Sequence, residues 1–307
     1  MWASAPPAKV CNPRGFAVAF RRHISRAGRK TMRGGKLLRC AGLLAAAVLG
    51  GCAGVAERPE APLPSAVPAR SIAAFSLAQP GGEWPGAWRP WRLSRLKELT
   101  SYQLVDDNGS VVVKAMSAAS ASGLVHPLDI DARELPVLQW RWKVPRLIEG
   151  ANNARRNAED APVRVLLSFD GDIASLPLED RMFFDRVRAF TGYDPPYATL
   201  MYIWENQAAP GAIIPNPHSG RIRMIVADSG SARTGTWKLE SRNVYEDYKR
   251  AFGAEPGRIK AIAIMTDTDN TGASVEAYYG DIAFLSAAEA QRISLSPRKR
   301  ATRQAKE

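Results

Sequence analysis

The chain has 307 residues, with 42 Lys and Arg against 30 Asp and Glu and a formal net charge of +12, a balance that by itself fits a binder of nucleic acid or of a membrane surface. The excess sits at the ends. Residues 1–51 carry ten basic residues and no acid, Pro297–Glu307 carries five and one, and the body from Cys52 to Ser296 holds 27 basic against 29 acidic residues. A body that close to neutral excludes nucleic acid as the partner.

The first basic stretch has an address of its own. Arg33, Lys36 and Arg39 precede a short apolar run, Leu43 to Leu49, which closes on Gly50-Gly51-Cys52. Positive region, apolar core and small-residue cleavage site in that order make a secretory signal. A run of this length is too short for a membrane span, which needs about 20 apolar residues. The cysteine at the cut resembles that of a bacterial lipoprotein signal, in which the thiol is lipidated and becomes the new N-terminus. The expected organisation is an over-long start at residues 1–31, a lipoprotein signal at 32–51, a tether at 52–70, a β domain at 71–290 and a disordered basic tail at 291–307. Ala53, next to the lipidated cysteine, is not the aspartate that commonly retains lipoproteins in the inner membrane. The expected location is therefore the periplasmic face of the outer membrane. Cys11 and Cys40 leave with the leader, so Cys52 is the one cysteine left. That excludes structural disulfides, a thiolate metal site and a cysteine nucleophile.

Pro59, Pro62, Pro64 and Pro68 among alanines keep the tether extended. The body then reads with a period of two far more often than 3.6. Strand-like runs at Tyr102–Val105 and Val111–Met116 flank Asp106-Asp107-Asn108-Gly109, and Asn-Gly between such runs predicts a two-residue hairpin. Further strands are predicted at Gly123–Ile130, Val137–Val144, Val163–Phe169, Ala198–Trp204, Arg221–Val226, Thr236–Glu240, Ile259–Met265 and Val275–Leu285. Leu178–Phe190 places Met182, Phe183, Val187 and Phe190 at helical spacing, and Val244–Phe252 predicts a short helix ended by Gly253. Many strands, two short helices and no βαβ alternation predict a mainly β fold, a β-sandwich of jelly-roll type.

Several distinctive phrases come in order: Trp88-Arg89-Pro90-Trp91, Ser120-Ala121-Ser122-Gly123-Leu124, Trp140-Arg141-Trp142-Lys143 and Asp160-Ala161-Pro162-Val163-Arg164. Pro196-Tyr197-Ala198-Thr199-Leu200-Met201-Tyr202-Ile203-Trp204-Glu205-Asn206, Arg221-Ile222-Arg223, Thr266-Asp267-Thr268-Asp269-Asn270-Thr271-Gly272 and Tyr279-Gly280-Asp281-Ile282 follow. Together they resemble the bacterial family catalogued as domain of unknown function 3047, over Phe75 to Leu285. The resemblance implies an exported bacterial protein and brings no activity with it. The Tyr279–Ile282 strand also resembles the last strand of galactose-binding-type jelly rolls.

Two constellations could carry binding chemistry. Arg141, Arg164, Arg221 and Arg223 lie on strands expected to be neighbours, with Tyr202 and Trp204 sharing a strand face. A groove of arginines with aromatic walls would hold a glycan or another anionic envelope ligand, because the guanidinium fork matches carboxylate, sulfate and phosphate and aromatic faces suit sugar rings. The alternative is a solvated face whose cations pair with Asp170, Asp172 or Glu205. Asp267, Asp269 and Asn270, in an oxygen-rich loop with Gly272, are candidate ligands of a structural Ca²⁺, although the loop departs from the EF-hand pattern. The galactose-binding resemblance adds Asp281. An Asx-rich turn is the competing reading.

His126 and His218 stand apart, and there is no G-x-S-x-G, H-E-x-x-H or P-loop. A non-enzymatic binding module is therefore the first expectation. A glycan-active enzyme using Asp170, Asp172, Glu205 or His218, and a scaffold in an envelope complex, are the alternatives.

Overall fold

Asn108 and Gly109 both take positive φ, 55° and 82°, the signature of a two-residue type I′ turn whose twist matches that of the strands it joins. The Asp106 side chain accepts the Gly109 N–H at 3.1 Å. The turn fixes the register of the first long hairpin, with Asp107 opposite Ser110. The computed structural model describes residues 71–192 and 194–304. The expected leader, signal, Cys52 and tether lie outside the described residues. Among the described residues no helix is long and apolar enough to cross a membrane.

In chain order the strands begin with β1 (Ser71–Ala73), β2 (Arg89–Arg92), β3 (Ser101–Asp107), β4 (Ser110–Ala118), β5 (Ala121–Ile130), β6 (Val137–Lys143) and β7 (Ala161–Phe169). Helix α1 (Leu178–Thr191) separates β7 from β8 (Ala198–Glu205), which is followed by β9 (Ile213–Pro215), β10 (Ile222–Ser229) and β11 (Trp237–Asn243). Then come α2 (Val244–Phe252), β12 (Ile259–Asp267), β13 (Ser274–Leu285) and α3 (Ala287–Gln304), whose range takes in residues of the basic tail. Asn243 caps α2 by accepting the Glu246 N–H, and Gly253 ends it in the left-handed conformation.

The strands form two sheets, one of six strands in the order β11-β6-β13-β4-β3 with β1 also on β13, the other of seven in the order β2-β5-β12-β7-β8-β10-β9. The fold is mainly β, a sandwich of two packed sheets, as the patterning predicted. Jelly-roll connectivity is not evident in this order, and β8 and β10 run parallel where the other neighbours are antiparallel. The short β1, β2 and β9 carry too few residues to show a period and went unpredicted.

Between the sheets lies the main core. Trp140 and Trp142 of β6 meet Val163, Val165 and Leu167 of β7 and Tyr202 and Trp204 of β8 there. A second apolar layer covers the opposite face of the seven-stranded sheet, built from Leu166, Met201, Ile203, Met224, Val226, Ala263 and Met265. Trp91, Leu93, Ala208 and Ala212 pack over it. All eight residues of β8 are consequently buried, and the strand reads as a continuous apolar run rather than an alternation.

Candidate functional site

The four arginines expected to share one groove occupy three separate places. Arg141 sits on the outer face of the six-stranded sheet, donating to Ser110 Oγ at 2.8 Å. Its guanidinium lies 4.8 Å from the Trp237 ring centroid. A Cβ on Gly280 would meet Arg141 Nε at 2.3 Å, so the glycine leaves the space this side chain uses. Beside it Asp107 accepts from Lys143 Nζ and from Trp237 Nε1, both at 2.7 Å. Partial burial works against the Asp107 charge, but these two hydrogen bonds prevail and hold its pKa below the ordinary value.

Arg164 is only 1% exposed. It lies on the far face of β7, opposite Ile203 in register, where the second apolar layer closes over it. Its fork grips Asp267, Nε to Oδ1 at 2.9 Å and Nη2 to Oδ2 at 3.1 Å, and Nη1 donates to Glu159 Oε1 at 3.1 Å. Glu159 also accepts from Asn216 Nδ2 at 2.9 Å and faces His218 Nε2 at 3.4 Å. Burial opposes the Arg164 charge, but Asp267 and Glu159 outweigh it and raise its pKa. Burial likewise pushes the Asp267 carboxyl up to about 6 against the pull of Arg164. The pair is ionised at neutral pH and belongs to the interior. Tyr202 and Trp204 face the opposite way, into the main core. Tyr202 stacks on Trp140 with centroids 4.9 Å apart and donates to Asp247 at 2.9 Å, while Trp204 Nε1 donates to Gly230 O at 3.0 Å. They wall no groove with Arg164.

The candidate calcium ligands divide in the same way. Asp267 and Asp269 converge with Asp160, one carboxylate oxygen of each lying within 4.8 Å of the others. Asn270 donates to Asp160 through both its backbone N–H and its amide, and Thr271 N donates at 2.7 Å. Asp267 is held by Arg164, and Asp269 is hydrogen-bonded to Lys97 Nζ through Oδ2. Only Asp269 Oδ1 among the six carboxylate oxygens lacks a hydrogen-bond donor. A calcium site needs six to eight oxygen ligands, and two resident cations repel a third, so this donor set fits an ion-pair network better than a Ca²⁺ cage. Asp281 stands elsewhere, accepting from Ser76 N at 2.9 Å and Ser76 Oγ at 2.6 Å.

The carboxylates considered for catalysis each accept backbone N–H groups, local ones for Asp172 and Glu205 and a distant one for Asp170. Asp170 accepts the Arg258 N–H at 2.6 Å, Asp172 the Ala174 N–H at 3.0 Å, and Glu205 those of Gln207 and Ala208 at 2.5 and 2.7 Å.

Arg221 and Arg223 do come together. They lie two residues apart, at the start of β10, and line a cleft of about 490 Å³ with His218, Arg186 and Phe183. Arg221 Nε donates to Tyr197 O at 2.9 Å, and its guanidinium lies 4.2 Å from the Tyr197 ring and 5.6 Å from that of Phe252. Arg223 Nε donates to Ala251 O at 3.3 Å, with its guanidinium 5.6 Å from Phe252. Among the described residues neither pairs with a carboxylate. Burial, helped by the neighbouring Arg221 charge, pulls the Arg223 pKa down. Tyr197 and Phe252 back these two guanidinium groups without lining the cleft, whose lining includes Phe183. Sequence reasoning missed those two rings, and Arg186 with them, because they come from other elements.

The family model described as "Protein of unknown function (DUF3047)" matches residues 86–283, more than half of the chain. The chain belongs to this family. A comparison with curated proteins gave no match. Among solved structures the DUF3047 domain is similar to the cellulose-induced protein Cip1, at 10% identity and a TM-score of 0.28, over 65% of this chain and 91% of that one. In DUF3047 terms the Arg221-Ile222-Arg223 phrase forms the cleft floor, and the Asp160–Arg164 and Thr266–Gly272 phrases build the buried ion network beside it.

Proposed function

We propose that this domain is a non-enzymatic binding module of the bacterial envelope, anchored by lipid on Cys52 to the periplasmic face of the outer membrane, and that it holds an acidic glycan or related anionic ligand in the Arg221–Arg223 cleft. The observation that carries this reading is the adjacent pair Arg221 and Arg223, both lining the cleft and neither matched by a carboxylate. Two neighbouring guanidinium groups repel each other, and an anion between them removes that cost. Their Nε atoms are already bonded to backbone carbonyls, so the forks are oriented before a ligand arrives, which lowers the entropy lost on binding. Phe183, which lines the same cleft, offers an apolar ring face to a sugar next to the charge.

A binding screen of acidic against neutral envelope glycans tests the reading. Acidic members should bind the wild-type chain, and the Arg221→Gln/Arg223→Gln double variant should lose at least about tenfold in affinity, as the removal of charge-assisted bonds requires. Equal binding of neutral and acidic glycans, or an unaffected double variant, would overturn it.

A further inference from the structure

The cleft holds carboxylates as well as guanidinium groups. Glu179 and Asp180, in the first turn of α1, line it opposite the arginine floor. Asp180 reaches over that floor, since a Cβ on Gly220 would lie 4.0 Å from Asp180 Oδ1. Opposite charges that line one cleft can close into ion pairs. Here, among the described residues, Glu179, Asp180, Arg186, Arg221 and Arg223 form no ion pair within 4.0 Å, whereas seventeen pairs of Lys or Arg with a carboxylate occur elsewhere. The cleft therefore keeps three cations and two anions apart across a space of about 490 Å³.

From this arrangement we infer that the cleft takes a zwitterion, a phosphomonoester carrying a primary amine a few bonds away, with the phosphate on Arg221 and Arg223 and the ammonium between Glu179 and Asp180. The inference rests on the acidic-ligand reading above and narrows it. The five charged side chains, Arg186, Arg221 and Arg223 against Glu179 and Asp180, sum to one positive charge. A phosphomonoester of charge about −2 with one ammonium is net negative by one and matches it. An amino acid, neutral overall, does not. A purely anionic ligand would engage the arginines but leave Glu179 and Asp180 without a partner cation, so an ammonium on the same ligand adds affinity. An amino-sugar phosphate has this chemistry, whereas an aminoalkyl phosphate lipid headgroup is a phosphodiester that shares the phosphate and the ammonium but not the net charge.

Calorimetric titration of the full chain with phosphoethanolamine, its N-acetyl derivative and β-alanine tests the inference. Phosphoethanolamine should bind about tenfold more tightly than either analogue. The Glu179→Gln/Asp180→Asn variant should lose that preference while binding the N-acetyl form at least as well as the wild type does. Equal affinity for the free and the acetylated amine, with the arginine variant still weakened, would overturn the zwitterion and leave the acidic-ligand reading standing. β-Alanine as tight as phosphoethanolamine would overturn the phosphate assignment. No binding of any of the three would overturn the inference, and the glycan screen would then decide the acidic-ligand reading separately. Parallel titrations with glucosamine 6-phosphate and with phosphatidylethanolamine vesicles identify the source, and the charge match predicts the soluble monoester to be the tighter of the two.

Discussion

Arg164 neutralises Asp267 and Glu159 where water does not reach. Breaking such a buried pair from one side leaves uncompensated charge, so Arg164→Met should destabilise the fold by about 3–5 kcal/mol. Urea denaturation checks this, and a loss under about 1 kcal/mol would mean that water reaches the site. The sequence reading put Arg164 in a solvated groove because it alternates with apolar neighbours on β7. Alternation separates two faces, but it does not say that either face is wet. A lone arginine inside a long apolar run, five residues after Glu159, was the signal for a buried counter-charge. Asp107 gives the pH counterpart. Its pKa is lowered in the fold, so its contribution is complete above the unfolded carboxylate value near 4 and is lost as pH falls through the lower folded value. Denaturation midpoints of wild type and Asp107→Asn should therefore differ at neutral pH and converge in acid. A constant gap down to the acid transition would contradict the hydrogen-bond account of the shift.

At the level of elements, the Asn108–Gly109 turn was legible because its chemistry is local: positive φ at two successive positions needs residues that tolerate it. Gly109→Val puts a β-branched side chain at φ 82° and should cost at least about 1 kcal/mol, read from the shift in denaturation midpoint. The predicted strands from Gly123 to Leu285 and both predicted helices appear with boundaries moved by a few residues. β10 and β11 extend further than expected, since their ends pair with β8 and β6 rather than following a hydrophobic period. What the sequence could not supply was which strand neighbours which. The four arginines were expected on adjacent strands of one surface, yet β6 belongs to the six-stranded sheet while β7 and β10 belong to the other. Long-range pairing of this kind leaves no local trace. The bulge in β13 between Tyr279 and Ile282 is a second such feature. It places Gly280 under Arg141, and Gly280→Ala should destabilise by about 1–3 kcal/mol through overpacking, with part of that loss recovered in an Arg141→Ala background. Equal losses in both backgrounds would disconnect the glycine from the arginine.

For the whole molecule, a neutral β-sandwich with both faces of one sheet buried holds itself together without disulfides, and the charge of the chain resides in its ends. The Arg221–Arg223 cleft gathers three guanidinium groups and two carboxylates with no ion pair among them. The proposed anchor bears on where that cleft works. Cys52→Ala should abolish fatty-acid labelling and release the protein from membrane fractions, because stable attachment depends on the acyl chains. Wild-type protein that takes up no label would end the lipoprotein reading while leaving the cleft untouched. Mapping an anion onto the domain tests the central claim most directly. In a heteronuclear NMR titration of the full chain with inorganic phosphate, the backbone resonances of Ser219–Arg223 and of Glu179–Phe183 should shift together in a saturable way, and Arg221→Gln/Arg223→Gln should abolish the shifts. Shifts that cluster instead around Arg141, Trp237 and Tyr278 on the outer face of the six-stranded sheet, or that survive the double substitution, would contradict it.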